Sequence, residues 1–595
     1  MSSKQNATKR FDASQRLTIG VFGNRQVYEG TTIVRYEQIL FRGIRAAAQA
    51  YGCRLLLACG IGPHSTPFEG LAAWPMCLSD TNFVPVGPWN TDGLIAIPPF
   101  TQERQQAWRE LAKYGKPFVF TSPQVEYPSQ APTNAEGIRQ AFDHLREHGH
   151  ERIAFIAAEE HLNRISDGDG AERFLAYKAA LEAHGLPYDP SLVGYGGHDA
   201  YQSAIALKKM LAAGAQFTAV LTSNDESAIG VMQALAEAGL RVPQDVAVIG
   251  FDDVLYAKAQ SPPLTTVRHP TFEMGYQAVE LLLEYITGQR TGIATLRTPT
   301  RLIIRESCGC QPYSMQQGVS PAPETFDRTA LVQAMADAVA VETRYVDAEQ
   351  LEAWCADLFD GFVESVRQKD EKPLAAALDQ LLQHVETANE DPYAWQAAIG
   401  VLRNHASALR DARDTVEALI DQARIRISER LRRQHTRYLV RQAELTDLLG
   451  MLTMRLLTAN KPRQILDILA EQLPSLGIRH AHIGLFEPEG DDPTAWCSMF
   501  VRVPGDEPQI RRFRSRSFPP PGLYDEFEPV SVAVLPLVIE DGPSGFVAID
   551  ASYLEPCGLI VRHLAAAFRN SQLYSAAEEG RQLAEEANRL KSRFL

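Results

Sequence analysis

Cysteine is scarce in this sequence: 8 residues in 595, at Cys53, Cys59, Cys77, Cys308, Cys310, Cys355, Cys497 and Cys557. That density excludes a disulfide-stapled scaffold, in which cysteines crowd a short chain. Only Cys308 and Cys310 lie close together, as Cys-Gly-Cys, with no second cysteine pair and no histidine cluster beside them in sequence. They read as free thiols, and no metal or other cofactor is expected. Long apolar runs are missing too, with no stretch of about 18 apolar residues to cross a membrane. The first segment, MSSKQNATKRFDASQR, lacks the apolar core of a secretion signal, so a cytoplasmic location is expected. Positive charge is in deficit: 58 Lys and Arg against 73 Asp and Glu, a net charge of −15. A surface of that sign repels phosphate backbones, so nucleic-acid binding would need a segregated basic patch. Catalytic signatures are lacking as well. There is no G-x-S-x-G elbow, P-loop, H-E-x-x-H or paired metal-ligand pattern, and no enzyme is expected. Asp167-Gly168-Asp169-Gly170 hints at a calcium loop, but the position that needs Glu holds Lys178. A turn over a cleft, with Asp169 touching a ligand, fits better.

What is present excludes disorder: 45% of residues are hydrophobic and 22% charged. Length alone allows about four domains. Residues 1–16 read as a disordered N-terminus. Over 17–310, apolar strands alternate with amphipathic helices. The strands are Leu17–Phe22, Arg54–Cys59, Gly93–Ile97, Phe118–Thr121, Ile153–Ala157, Ala219–Thr222 and Val246–Phe251; the helices include Tyr36–Ala50, Gly137–Glu147, Arg173–His184, Ala204–Ala212 and Glu226–Ala238. The alternation predicts an α/β fold with parallel sheets covered on both faces, and the length of this region asks for two doubly wound lobes.

Residues 311–325 are polar with Pro and Gly and read as a linker. Residues 326–458 show helical spacing, as at Leu351, Trp354, Cys355 and Leu358, and predict an all-helical connector. Residues 459–574 predict a small α+β module: helix Ile465–Leu473, strand His480–Phe486, a Pro- and Arg-rich loop, strands Val532–Val538 and Gly545–Asp550, and helix Leu559–Tyr574. In the tail 575–595, Ala576, Gly580, Leu583, Ala587, Leu590 and Phe594 alternate spacings of four and three, the seam of a coiled coil and a route to a homodimer. Two basic stretches, seven arginines in Arg424–Arg441 and the run Arg511–Arg516, read as solvated faces.

The chemistry concentrates where strands end. Ser223-Asn224-Asp225 closes a strand and opens a helix, and Asp252 ends the next strand. Ligands of open α/β sheets sit at such carboxyl ends. A short amide and a carboxylate there suit a polyhydroxy ligand, whose hydroxyls both donate and accept. The stretch from Asn224 through Arg241-Val242-Pro243, Gly250-Phe251-Asp252-Asp253 and Pro262-Pro263-Leu264-Thr265-Thr266-Val267 resembles the effector-binding domain of the LacI/GalR family. So do Asn134-Ala135-Glu136-Gly137, His144-Leu145, Gly149-His150-Glu151-Arg152-Ile153-Ala154, and Arg173 with Tyr177. The resemblance implies a periplasmic-binding-protein-like fold of two lobes joined by three crossings, with a sugar-like effector clamped between them. It also implies Arg173, Asn224 and Asp252 as effector contacts, with Glu136, Tyr36 and His198 beside them and Phe22 as a possible pocket lining.

The sequence also departs from that family. Only 16 polar residues precede the first strand, too few for the usual helix-turn-helix head, so DNA contact is not expected without a partner. Leu535-Pro536-Leu537 and Gly545–Asp550 resemble a GAF domain, read here as a spacer because no bilin or cyclic-nucleotide motif is visible. Leu583–Leu595 resembles the helix leading into the phosphotransfer helices of bacterial sensor histidine kinases. No phosphoacceptor or ATP-binding box is present, His150-Glu151 being the only His-Glu pair. The expected function is therefore a ligand-sensing signal-transduction input to a kinase-type output missing from this chain. The alternative is a LacI/GalR-family transcriptional regulator acting through an unrecognised DNA-binding element or a partner.

Overall fold

The computed structural model describes residues 16–23, 36–59, 85–97, 108–123, 126–158, 168–310, 327–344, 346, 348–388, 390–406, 413–478, 480–501, 509–524, 530–539, 542–551 and 554–594. The chain begins with β1 (Thr18–Gly23), α1 (Tyr36–Ala50), β2 (Arg54–Cys59), β3 (Gly93–Ala96), β4 (Phe118–Phe120) and β5 (Ser129–Pro132). Next come α2 (Asn134–Glu147), β6 (Ile153–Ala157), α3 (Gly168–Ala183), β7 (Val193–Tyr195), α4 (Ala200–Ala212), β8 (Ala219–Thr222), α5 (Asp225–Glu237), β9 (Ala247–Asp252) and β10 (Thr265–Arg268). Helix α6 (Thr271–Ile286) and strands β11 (Thr295–Thr298) and β12 (Arg301–Ile303) complete this region. The apolar strands of the sequence reading recur almost residue for residue, because each is buried along its length. Strands β5, β7, β10, β11 and β12 were not foreseen, being short or rich in Thr, Gln, Arg and Pro.

Two sheets result. The second lobe holds the order β12-β10-β9-β8-β6-β7, parallel except for β12. One face packs Phe142, Phe155, Tyr177 and Phe251, and the other packs Leu207, Val231, Leu235 and Leu264. The first lobe runs β11-β5-β4-β3-β1-β2. Helices α1 and α6 pack on it and, at close range, on each other: a Cβ on Gly43 would fall 2.0 Å from the Phe272 carbonyl oxygen, and one on Gly275 would fall 2.1 Å from that of Leu40. The chain crosses between lobes three times, at β5–α2, β10–α6 and β11–β12. Two of these are stitched together, Thr300 N–H donating to Thr133 Oγ1 at 2.9 Å and Thr133 N–H to the Thr298 carbonyl at 3.0 Å.

The middle of the chain is helical: α7 (Arg328–Ala340), α8 (Ala348–Gln368), α9 (Lys372–Thr387), α10 (Trp395–Ala406) and the 46-residue α11 (Arg413–Thr458). They share a core of Leu358, Phe362, Leu378, Val385, Trp395 and Ile420. After α12 (Pro462–Gln472) come five antiparallel strands, β13 (Ala481–Glu489), β14 (Asp492–Val501), β15 (Gln509–Arg514), β16 (Ser531–Ile539) and β17 (Gly542–Asp550), and then α13 (Leu554–Phe594). Two differences from expectation lie here. The Pro- and Arg-rich loop contains strands β14 and β15, and the closing helix and tail form one continuous helix. Leu583 and Leu590 of the heptad seam are exposed on it.

These five strands do not stand apart. Strand β16 pairs parallel to β2, with Ser531, Val532, Ala533 and Val534 opposite Leu55, Leu56, Leu57 and Ala58. The first-lobe sheet and the C-terminal sheet are thus one sheet of eleven strands ending in β15. Its cores are continuous as well: Ile19, Leu55 and Ile95 pack in one cluster with Leu535, Ile549 and Leu564. Phe22, Trp108 and Phe120 join Phe513, Phe518 and Phe546 on the other face, which places Phe22 in the core. Among the described residues, no helix is long and apolar enough to cross a membrane.

Candidate functional site

Arg173 lies in the second turn of α3, and its side chain is 4% exposed. It rests 3.8 Å above the Phe251 ring, a cation–π contact that desolvation strengthens. Its Nε donates to Asn134 Oδ1 at 2.9 Å and its Nη1 to the Ser223 carbonyl at 2.6 Å, and the same Nη1 stands 3.3 Å from Asp252 Oδ1. The arginine thus ties together the first residue of α2 and the carboxyl ends of β8 and β9. Asn134 Nδ2 donates onward to Asp169 Oδ1 at 2.7 Å and to Glu172 Oε2 at 2.9 Å. Two bonds then reach the first lobe: Ser122 Oγ donates to Asp169 Oδ2 at 3.0 Å, and Arg297 on β11 pairs with Glu172 at 2.6 Å.

The electrostatics are set by burial. Asp252 titrates at about 6, pushed up by burial against the opposing pull of Arg173 and His198. Burial and the facing Asp252 push Asp225 well above the usual carboxyl range; its oxygens accept from Thr266 Oγ1 at 2.5 Å and Val254 N–H at 2.9 Å. Buried His269 is held well below the ordinary imidazole value, by burial and then by Arg173. The backbone is unusual here too. His198 (φ 58°), Asp252 (φ 111°) and Asp253 (φ 55°) all have positive φ, a costly conformation that concentrates at functional sites.

The next residue, Asp253, faces the other way. Its fully buried carboxylate accepts from Arg305 Nη2 at 2.7 Å, Arg268 Nε at 2.8 Å and Arg344 Nη2 at 3.0 Å. Burial alone would raise its pKa, but Arg305, Arg344 and Arg268 override that and hold the group well below the carboxylate range. Arg344 belongs to the turn after α7, and Arg268 also donates to the Thr343 carbonyl at 2.7 Å. Lys258 bonds Glu342 at 2.7 Å. Two neighbouring aspartates thus serve two surfaces: Asp252 the cleft, Asp253 the joint with the helical unit.

The structure brings together Arg173, Asp252 and Asp169 of the residues singled out from sequence. Asn224 is adjacent but engaged: its Oδ1 caps α5 by accepting from Ser227 N–H at 2.9 Å, and its Nδ2 donates to the His198 carbonyl at 3.3 Å. Glu136 points elsewhere. Its carboxylate is bonded to Arg139 at 2.7 Å and Gln140 at 2.9 Å. At about 100° of rotation per helical residue, a side chain two positions past Asn134 lies on the opposite side of α2. Within this motif it is Asn134 that Arg173 engages. Tyr36 opens α1, and its side chain lies outside the described residues. Ser122, Glu172, Arg297 and Phe251 were not foreseen; Phe251, one residue before Asp252, was the only one inside a recognised motif. Tyr177 is core, donating to the Ile153 carbonyl at 2.8 Å.

The basic stretches are largely engaged. On β15, Arg512 pairs with Glu487 at 2.6 Å, and Arg512 and Arg514 both lie over Trp496. On α11, Arg430 pairs with Glu386 at 2.6 Å and Arg426 with Asp379 at 3.3 Å.

Comparison with known proteins agrees with this architecture. Residues 142–308 match the family described as a periplasmic binding protein-like domain. The HTH-type transcriptional regulator CelR of Thermobifida fusca is 35% identical over 223 residues, 37% of this chain and 64% of that protein. The HTH-type transcriptional repressor MelR of Bacillus subtilis (strain 168) is 38% identical over 176 residues, 29% and 50% of the two chains. The repressor CytR of Escherichia coli (strain K12) is 31% identical over 191 residues, 32% and 54%. This chain thus spans between half and just under two thirds of the length of these relatives. A solved structure, the transcriptional regulator CelR–cellobiose complex, is 26% identical with a TM-score of 0.39, covering 49% of this chain and 85% of that one. The relatives are named as regulators and repressors of transcription, which overturns the expectation of a kinase-linked signalling input and removes the ground for expecting no DNA contact. The chain carries a two-lobed, periplasmic-binding-protein-like α/β domain of the LacI/GalR type.

Proposed function

We propose that this protein is an effector-responsive regulator of transcription of the LacI/GalR type, taking a small sugar-like ligand between its lobes. The observation that carries the reading is the Arg173–Asp252 pair. Its arginine is almost dry and lies on an aromatic face at the carboxyl ends of β8 and β9, and it connects through Asn134 and Asp169 to Ser122 of the other lobe. Arg173 offers a planar fork of donors and Asp252 an acceptor pair, a match for adjacent hydroxyls.

In this reading residues 17–310 bind the effector and 326–458 form the helical unit. Residues 459–574 serve as a GAF-like spacer, and 575–595 join two copies through a coiled coil. DNA is contacted by an element outside the described residues or by a partner. Ligand-driven closure requires better contacts in one state than in the other. Movement at Asp252 passes to Asp253 and so to Arg344 and the helical unit.

The test has two arms. A thermal-shift screen of mono- and disaccharides and nucleosides, followed by calorimetry, should find a sugar that stabilises the wild type and binds Asp252→Ala at least tenfold more weakly. Gel shifts on genomic fragments at physiological salt should show a sequence-specific complex that the same sugar changes. Absence of a stabilising sugar overturns the effector assignment; binding no tighter than to competitor DNA overturns direct DNA contact by this chain.

A further inference from the structure

Cys308 and Cys310 lack a histidine neighbour in sequence, but the fold supplies two. His144 lies in the last turn of α2 and His148 caps it, four residues on and hence on the same helix face. The segment after β12 runs past this face. Gly309, at φ 96°, turns the chain between the two cysteines in a way a side-chain-bearing residue resists. The result is compact: His144 Nε2 lies 3.4 Å from Cys308 Sγ and 3.6 Å from Cys310 Sγ. His148 Nε2 lies 3.2 Å from Cys310 Sγ. The donor atoms of His144, Cys308 and Cys310 all fall within 4.8 Å of one another.

These spacings match a known geometry. With Zn–S near 2.3 Å and Zn–N near 2.05 Å, the sulfur–nitrogen edge of a tetrahedron is about 3.6 Å. The three sulfur–nitrogen distances, 3.2 to 3.6 Å, lie at or slightly below that value. His144 and Cys308 are buried while His148 is exposed, so one side of the cluster opens to solvent and admits an ion. Thr265 Oγ1 donates to Cys308 Sγ at 3.2 Å, the outer support that a metal-bound thiolate uses.

We propose that His144, Cys308 and Cys310 bind Zn2+, and that His148, 3.2 Å from Cys310 on the open side, turns in to complete a tetrahedral Cys2His2 site. Two thiolates and two imidazoles select zinc over the oxygen-seeking calcium and magnesium. The ion fastens the end of the effector domain to α2, just before the chain departs for the helical unit. The site is structural: all four positions are filled by protein, with none left for substrate.

The test uses the full chain, reduced and freed of metal by chelation, then titrated with Co2+. One equivalent should bind, giving the thiolate-to-cobalt charge-transfer band and the visible bands of a tetrahedral centre, and one equivalent of Zn2+ should bleach both. His148→Ala and Cys310→Ser are at positions exposed enough to fold, which circular dichroism checks. Cys310→Ser should weaken Zn2+ binding by more than about 100-fold, beyond the loss expected from an outer hydrogen-bond partner. His148→Ala should weaken it and shift the cobalt spectrum, while Cys355→Ser leaves both unchanged. A reduced protein that shows no tetrahedral cobalt spectrum, or one whose spectrum and affinity survive Cys310→Ser, overturns the proposal.

Discussion

At the residue scale the cleft is governed by one carboxyl group that is costly to charge. Asp252 titrates at about 6 rather than at 3.8 because burial outweighs the help from Arg173. A raised carboxyl pKa means that the folded state binds the proton more tightly than the unfolded one. The stability associated with that proton is full below about pH 4 and is lost as pH rises through about 6. Asp252→Asn should therefore be more stable than the wild type at pH 7.5, with the advantage shrinking toward pH 4; urea titrations of the two proteins across that range check it. Ligand binding should run the other way. A polyhydroxy effector needs the ionised acceptor, so its affinity should fall between pH 7 and 5 in the wild type and stay flat in Asp252→Asn. Calorimetry at both ends of the range decides. Arg173→Lys keeps the charge but loses the fork that joins Asn134, Ser223 and Asp252, so it should weaken effector binding with little change in fold.

At the scale of elements, junctions matter more than the elements. Asp253, just after β9, bridges three guanidiniums drawn from β10, the segment after β12 and the turn after α7. Asp253→Ala would strand those charges, and breaking such a buried pairing costs about 3–5 kcal/mol. A fall of that size should appear in denaturant unfolding at pH 7. It should shrink on acidification below about pH 4, because a depressed carboxyl pKa contributes its stability only above the unfolded value. The α1–α6 contact is the other sensitive junction. Gly275→Ala would drive a methyl into the Leu40 carbonyl, and overpacking of this kind costs at least about 1–3 kcal/mol.

At the scale of the molecule, the eleven-strand sheet is the main result. Strand β2 is the last strand of the first lobe, and β16 covers its outer edge. A fragment ending at residue 310 would expose that edge together with the apolar surface now shared with Leu535, Ile549 and Leu564. It should self-associate on size-exclusion chromatography where the full chain does not precipitate, as unpaired flat edges do. The outer edge of the fused sheet is better guarded: β15 carries three arginines, two of them bonded back to Glu487 and Glu489. The helices α11 and α13 leave Tyr438, Leu439, Val440, Leu583 and Leu590 exposed, the residues on which dimerisation should depend. Leu583→Asp with Leu590→Asp should shift the species seen by analytical ultracentrifugation from dimer to monomer.

The sequence by itself determined whatever local pattern encodes. Apolar runs such as Arg54–Cys59 and Ile153–Ala157 fixed the buried parallel strands, and helical spacing fixed the helices between them. The Asn224–Val267 motif marked the strand ends where Arg173 and Asp252 meet. Local pattern failed where a residue's role depends on a distant partner. That Asn134 and not Glu136 meets Arg173 is not displayed in sequence, because the sequence does not show which face of a helix looks into the cleft. Strand β15 was hidden because arginines on an exposed edge look like loop, and β14 because it opens on Asp492-Pro493, which reads as a turn. The pairing of β16 with β2 joins residues more than four hundred positions apart, and Cys308 meets His144 across more than one hundred and sixty. Only tertiary structure decides such contacts, because backbone edges and thiols carry no signature of their partners until the chain has closed the distance between them.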